Sequence, residues 1–212
     1  MGFEKSSLLA VALLLALSTS IQGLDVLQAL NHPDYEQFNK ALTEANLVDK
    51  INALKSVTVL PLGNKAMASL AGKSPAFLKA TVSTHVLIGY YDLRRIVDDV
   101  GCQIPIETLF ETSGLAKDKQ GYVLAQLLHE GIFESEFEGE LVMGSAASPP
   151  DTVFTSVLVE TVANNPGEFV AIELNEPILV PGIENLFSDV KVPLGAEEKA
   201  ASPSTLAPGQ NL

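Results

Sequence analysis

Hydrophobic positions along this chain follow three rhythms, each predicting a different kind of structure. From Leu8 to Leu17 they run unbroken, then give way to the small polar Ser18-Thr19-Ser20. Between Tyr35 and Ala45 they recur every three or four residues (Tyr35, Phe38, Ala41, Leu42, Ala45), so "PDYEQFNKALTEA" predicts an amphipathic helix. Asn31-His32-Pro33 offers a cap and an early proline for it, and Asp34 and Glu36 suit the positive end of the helix dipole. "VTVLPL" (57–62) is a short β-rich stretch. Two further helices are predicted, "KAMASLA" capped by Asn64 and "PAFLKATV" (75–82) opened by Pro75.

In the second half the rhythm shortens. "GYVLAQLL", "GIFESEF" and "GELVMGS" are brief segments separated by glycine-containing breaks, and "TVFTSVLVETV" (152–162) is rich in β-branched residues. In "GIFESEFEG", Phe133, Ser135 and Phe137 alternate with Glu134, Glu136 and Glu138, as in a strand with one buried and one wet face. "NNPG" (164–167) predicts a turn and "EFVAIEL" (168–174) a last strand. Helices first and strands later, without βαβ alternation, predict an α+β domain.

The unbroken run has a basic residue, Lys5, before it and spans ten residues. Crossing a bilayer takes about 20, so the order reads as a secretory signal peptide, residues 1–23, with cleavage after Ser20 or Gly23. About 190 residues then remain, enough for one well-buried domain and a tail. The signal carries one acid (Glu4) and one base (Lys5), so its removal leaves the net charge at -13. Such a surface repels phosphate backbones and anionic lipid, which disfavours nucleic acid and direct membrane binding. The single cysteine, Cys102, leaves no intrachain disulfide and is expected to be a buried, inert thiol. Beyond residue 187 the composition turns to Ala, Ser and isolated prolines, so 188–212 is expected to be a disordered tail.

Chemistry-bearing motifs are sparse. "AGKS" (71–74) lacks the upstream glycine of a phosphate loop, and "LLHEG" has no second histidine four positions on. No G-x-S-x-G elbow occurs, and the spacing of His32, His85 and His129 suggests no metal site. Glu134, Glu136, Glu138 and Glu140 could share a strand face and present oxygens to calcium, but a solvated face that discourages edge pairing is the expectation. No cofactor, metal or catalytic set is therefore expected, and the chain is not read as an enzyme.

Two stretches carry a family resemblance. "VTVLPLGNKAMASL" (57–70) and "LKATVSTHVLIGYYDL" (78–93) resemble the two signature segments of the fasciclin domain, most nearly as they occur in plant fasciclin-like arabinogalactan proteins. The likeness extends to "HPDYEQFNKALTEANLVDKIN", "TLFETSG" and "VAIELNEPILVPGIE", covering residues 24–187. Thr58, Asn64, Ala66 and Met67 fall on positions of the first signature, and His85, Tyr90 and Tyr91 on the second. Pro61-Leu62-Gly63 departs from the family's usual Ala-Pro and polar residue, so the following helix must be capped by Asn64 or by Gly63 itself.

The resemblance implies a single fasciclin-like domain: a twisted β-sandwich wedge with helices packed along one side. It also implies that His85 is scaffold, packed in or near the core with its ring nitrogens hydrogen-bonded. The implied function is non-enzymatic adhesion at the cell surface or in the cell-wall matrix. Partners would be matrix or wall polysaccharide or protein, or a second copy of the domain. A carbohydrate- or small-ligand-binding module is the alternative, weakened by the absence of Trp. Ser202-Pro203 and Ala207-Pro208 resemble sites of proline hydroxylation and arabinogalactan attachment, and Ser148-Pro149-Pro150 is a third such stretch. No N-x-S/T sequon is present. Because "PGQNL" is not an apolar tail, release into the extracellular space or apoplast is expected, with a lipid-anchored form requiring a longer C-terminus.

Overall fold

The computed structural model describes residues 23–100, 103–129 and 139–187. The expectations for the signal peptide, Cys102, Glu134, Glu136, Glu138, Pro203 and Pro208 lie outside the described residues.

A helical half comes first. Asp25 caps α1 (Val26–Ala29), its carboxylate accepting from the Leu27 and Gln28 amides. His32 caps a 3-10 turn, Pro33–Tyr35, which runs into α2 (Glu36–Glu44). There Phe38 and Leu42 face inward at i,i+4 spacing and are fully buried. α3 (Val48–Asn52) follows, then β1 (Val57–Val59), α4 (Asn64–Met67) with a 3-10 extension Ala68–Leu70, and α5 (Pro75–Thr84). In α5 the expected proline stands at the first helical position, and the Ser74 hydroxyl accepts from the Phe77 amide. β2 (Val86–Ile88) leads into α6 (Leu93–Val100), begun where the Asp92 carboxylate accepts from the Arg95 amide at 2.9 Å.

The strand half comprises β3 (Ile106–Glu107), β4 (Tyr122–His129), β5 (Gly139–Ser145), β6 (Ser156–Asn165) and β7 (Phe169–Leu174), with a 3-10 turn Ile183–Leu186 after it. The seven strands hydrogen-bond in the order β2-β1-β7-β6-β5-β4-β3. β1 lies parallel to β7, Val57 opposite Phe169, and the other neighbouring pairs are antiparallel. β6 joins the two halves of the sheet. Its first residues pair with β5, its later ones with β7, and register shifts between Leu158 and Ala163 bend it.

That bend brings the ends of the sheet together. Leu87 of β2 bridges Thr108 beyond β3, and the Leu109 amide donates to the Val86 carbonyl at 2.7 Å. Val57, Val59, Phe169 and Ile172 from one half therefore share a core with Val123, Ala125, Leu141 and Met143 from the other, and with Phe38, Leu42 and Ile51 of the helices. Ile96 seats α6 against β4. The architecture is α+β.

Two boundaries differ from the sequence pattern. β6 begins at Ser156, not Thr152, because Phe154 turns inward onto Gly144, where a Cβ would run into its ring. It also continues through Asn165, so the turn is Pro166–Glu168. Gly167 supplies the positive φ there, +85°.

Candidate functional site

Of the signature residues, His85 sits where the end of β1 meets α5 and the segment after β7. His85 terminates α5 and is fully buried. Its Nδ1 lies 3.0 Å from the Leu60 carbonyl, and its Nε2 accepts from the Ile178 amide at 3.1 Å. Because an amide N–H can only donate, Nε2 must carry the lone pair and Nδ1 the proton: the ring is the neutral Nδ1–H tautomer. Burial pushes its pKa down to about 4, partly opposed by the Leu60 carbonyl. The Phe38 ring lies edge-on 6.4 Å away.

Thr58 is also fully buried. Its hydroxyl donates to the Gly89 carbonyl at 2.9 Å and accepts from the Tyr91 amide at 2.7 Å, fixing the turn that follows β2. Gly89 has φ +123°, and the Tyr91 ring sits where a Cβ would be, so both conformation and space call for glycine. Tyr90 donates to Asn164 Oδ1 at 3.0 Å, tying this turn to β6. The Arg95 guanidinium lies over the Tyr91 ring at 4.5 Å. Met67 is buried and Ala66 half-buried.

Of the two caps expected for α4, Asn64 or Gly63, the structure uses Gly63. Gly63 occupies the cap position of α4, with Asn64 as the first helical residue. The Asn64 side chain instead reaches α2: Oδ1 accepts from the Gln37 amide at 3.0 Å and Nδ2 donates to the Pro33 carbonyl at 2.8 Å. The local cap position went to glycine because Pro61-Leu62-Gly63 arrives extended, with Gly63 at ψ 157°. The asparagine is a cap, but of a helix 27 residues away.

Of the acidic series, Glu140 is described; it is exposed on β5, opposite Leu128. Among the described residues, no three His, Cys, Asp or Glu side chains are grouped so as to hold a metal ion. A polar cleft that the sequence did not announce lies elsewhere, between the 3-10 turn at Pro33 and the β6–β7 hairpin. It measures about 450 Å³ and is lined by His32, Asp34, Tyr35, Glu160 and Glu173 among others. Tyr35 donates to Glu173 Oε2 at 2.8 Å. Burial, that hydrogen bond and the charges of Glu173, Glu160 and Asp34 together hold the phenol well above its ordinary pKa. Four acidic or phenolic groups brought together from two distant segments give no sequence signal beyond their separate identities.

No family model matches the chain. It is 30% identical over 165 residues to fasciclin-like arabinogalactan protein 14 of Arabidopsis thaliana, a match covering 77% of this chain and 61% of the relative. It is 34% identical over 172 residues to fasciclin-like arabinogalactan protein 10 of the same plant, covering 80% of this chain and 38% of the relative. The chain thus spans roughly two fifths to three fifths of the length of these relatives. Among solved structures, a FAS1 domain pair from the insect cell adhesion molecule fasciclin I superposes with a TM-score of 0.51 at 13% identity, over 70% of this chain and 46% of that one. At that identity the superposition speaks for the fold. Over most of its length the chain is thus similar to plant fasciclin-like arabinogalactan proteins, and its α+β fold is that of a FAS1 domain.

Proposed function

We propose that this is a non-enzymatic extracellular protein of adhesion or of the cell-wall matrix, acting through the surface of one fasciclin-like domain, residues 24–187. Residues 1–23 direct its secretion, and 188–212 form an Ala/Ser/Pro-containing tail with Pro203 and Pro208 as its modification sites. The carrying observation is how the signature's polar groups are used. His85, Thr58 and Asn64 each place their hydrogen-bonding atoms on backbone groups of neighbouring segments. A side chain so engaged holds neighbouring segments in place. In this reading the signature positions Thr58, Asn64, Ala66, Met67, His85, Tyr90 and Tyr91 are scaffold, and recognition falls to the outer faces. The partners are wall or matrix polysaccharide or protein, or a second copy.

The test is solid-phase binding and bead clustering with the secreted protein. Capture of a wall fraction, or clustering of beads carrying the protein, is expected. Turnover of a substrate with no such binding would overturn the reading. The polar cleft favours a second reading, a carbohydrate- or small-ligand-binding module: a neutral sugar in it would hydrogen-bond Glu160 and Glu173, the latter held in place by Tyr35. A glycan array separates the two, since a defined bound oligosaccharide, lost in Tyr35→Ala, would promote the module.

A further inference from the structure

After β7 the chain passes through Pro177-Ile178-Leu179-Val180-Pro181 and enters the 3-10 turn Ile183–Leu186. This strap crosses α5, yet from Pro177 to Val180 its backbone belongs to no strand. Side chains hold it instead. His85 Nε2 accepts from the Ile178 amide, Ser156 donates to the Pro177 carbonyl at 3.2 Å, and Gln120 donates to the Pro181 carbonyl at 2.8 Å. At the far end Lys73 meets Glu184 at 2.7 Å in an exposed ion pair. Between strap and α5 runs a groove of about 260 Å³, lined by Leu70, Phe77, Thr81, Ile178, Leu179 and Ile183. Leu179 stands 75% exposed at its rim.

Of these contacts, the one at His85 changes sign with a proton. Imidazolium carries N–H on both nitrogens. A proton from solvent added to Nε2 would face the Ile178 N–H, two donors in a space of 3.1 Å with no acceptor between them. The other ring nitrogen still donates to Leu60, so the ring stays with β1 and the strap must leave. We propose that His85 is a proton-operated clasp: taking up a second proton releases the strap Pro177–Leu186 from α5 and β1 while the seven-stranded sheet stays formed. Because the ring is fully buried, the strap lifts first and protonation captures the lifted state. Release uncovers the groove floor at Leu70, Phe77 and Thr81, an apolar face the closed domain keeps partly covered.

The surrounding charges leave this proton to the clasp itself. Around the ring, α2 carries Glu36, Lys40 and Glu44 and α5 carries Lys79, all exposed, while β1 has no titratable residue. β7 carries Glu173, engaged by Tyr35, and the strap region carries the half-buried Glu176 and the exposed Glu184. Burial is the main cause of the lowered proton affinity, which falls to about 4 in the closed form. A freed histidine titrates near ~6.5. Between those values acid favours the lifted strap, and at about pH 5 the opening constant rises roughly 20-fold over neutrality.

The experiment is hydrogen exchange of the full secreted chain followed by mass spectrometry, at about pH 7 and about pH 5, corrected for the intrinsic pH dependence of exchange. Peptides covering 177–186 should exchange some tenfold or more faster at the lower pH, with peptides of β7 unchanged. In His85→Gln, which cannot titrate, the strap's pH dependence should vanish whatever its absolute protection. Unchanged strap protection in the natural chain overturns the proposal. So does strap exchange that rises together with β7, or a His85→Gln strap with the same pH response. Should His85→Gln not fold, ring-nitrogen NMR of the natural chain decides. A His85 titration coincident with loss of the Ile178 amide signal supports the clasp, and a strap that opens while His85 stays neutral overturns it.

Discussion

Replacing Asn64 tests whether one side chain joins two helices that the sequence keeps apart. α2 begins at Glu36 behind Tyr35, which makes no side-chain cap bond, so its early amides need an acceptor from elsewhere. Asn64 Oδ1 supplies one to Gln37, and its Nδ2 returns a donor to the Pro33 carbonyl. Asn64→Ala removes both bonds. Each is worth about 1 kcal/mol, and the site is half-buried, so water replaces part of the loss; about 1–2 kcal/mol should go. For a domain of this size that is a fall in melting temperature of roughly 3–6 °C. Asn64→Asp separates the two bonds. It keeps the acceptor, with its charge at the favourable end of α2, and loses the donor to Pro33. It should recover at least half of the alanine loss. Thermal and urea melts of the three proteins provide the numbers, and exchange of the Gln37 amide locates the effect. An alanine variant melting within about 1 °C of the parent would refute the cross-cap, as would an aspartate variant no better than alanine.

Three further outcomes follow from the same geometry. With the strap closed, His85 binds its proton in the folded state at about 4 but near ~6.5 when unfolded. The unfolded state therefore holds more protons between those values, stability falls as pH drops below ~6.5, and about 2 kcal/mol should be lost by about pH 5. Urea midpoints should show that loss in the natural chain and not in His85→Gln, whose residual slope measures the carboxylates. Gly144→Ala pushes a methyl into the Phe154 ring and should cost about 1–3 kcal/mol, recovered in part by Phe154→Leu in the same chain; a neutral alanine would show that the ring moves freely. Tyr35→Phe should remove a tyrosine that resists deprotonation in an ultraviolet alkaline titration and destabilise the domain by about 1 kcal/mol, and an unaltered titration curve would place that resistance on another residue.

What could be read from sequence was whatever neighbours in the chain decide. Ser74-Pro75 starts α5 because a hydroxyl cap and a fixed φ act within one turn. β4, β5 and β7 appear as β-rich runs because alternation and β-branching are local properties. α6 was equally local: Asp92 caps it, and Leu93, Ile96, Val97 and Val100 recur at helical spacing in "LRRIVDDV". Sequence likeness supplied the signature positions, but their roles lie in partners far along the chain: Gln37 for Asn64, Ile178 for His85, Asn164 for Tyr90. The parallel pairing of β1 with β7 unites residues more than a hundred positions apart, and no period in either strand encodes it. The strap shows the same limit in one place. Two prolines around Ile-Leu-Val foretell an extended segment, since proline fixes φ and removes a donor. They do not say what holds it. The free Ile178 amide needs an acceptor, and the fold brings one from a histidine 93 residues earlier. An amide that a ladder leaves over is satisfied by a side chain, and here that side chain can be switched off by a proton. The chemistry of His85 thus depends on Ile178 as much as on itself, which is why its neighbours in sequence were silent about it.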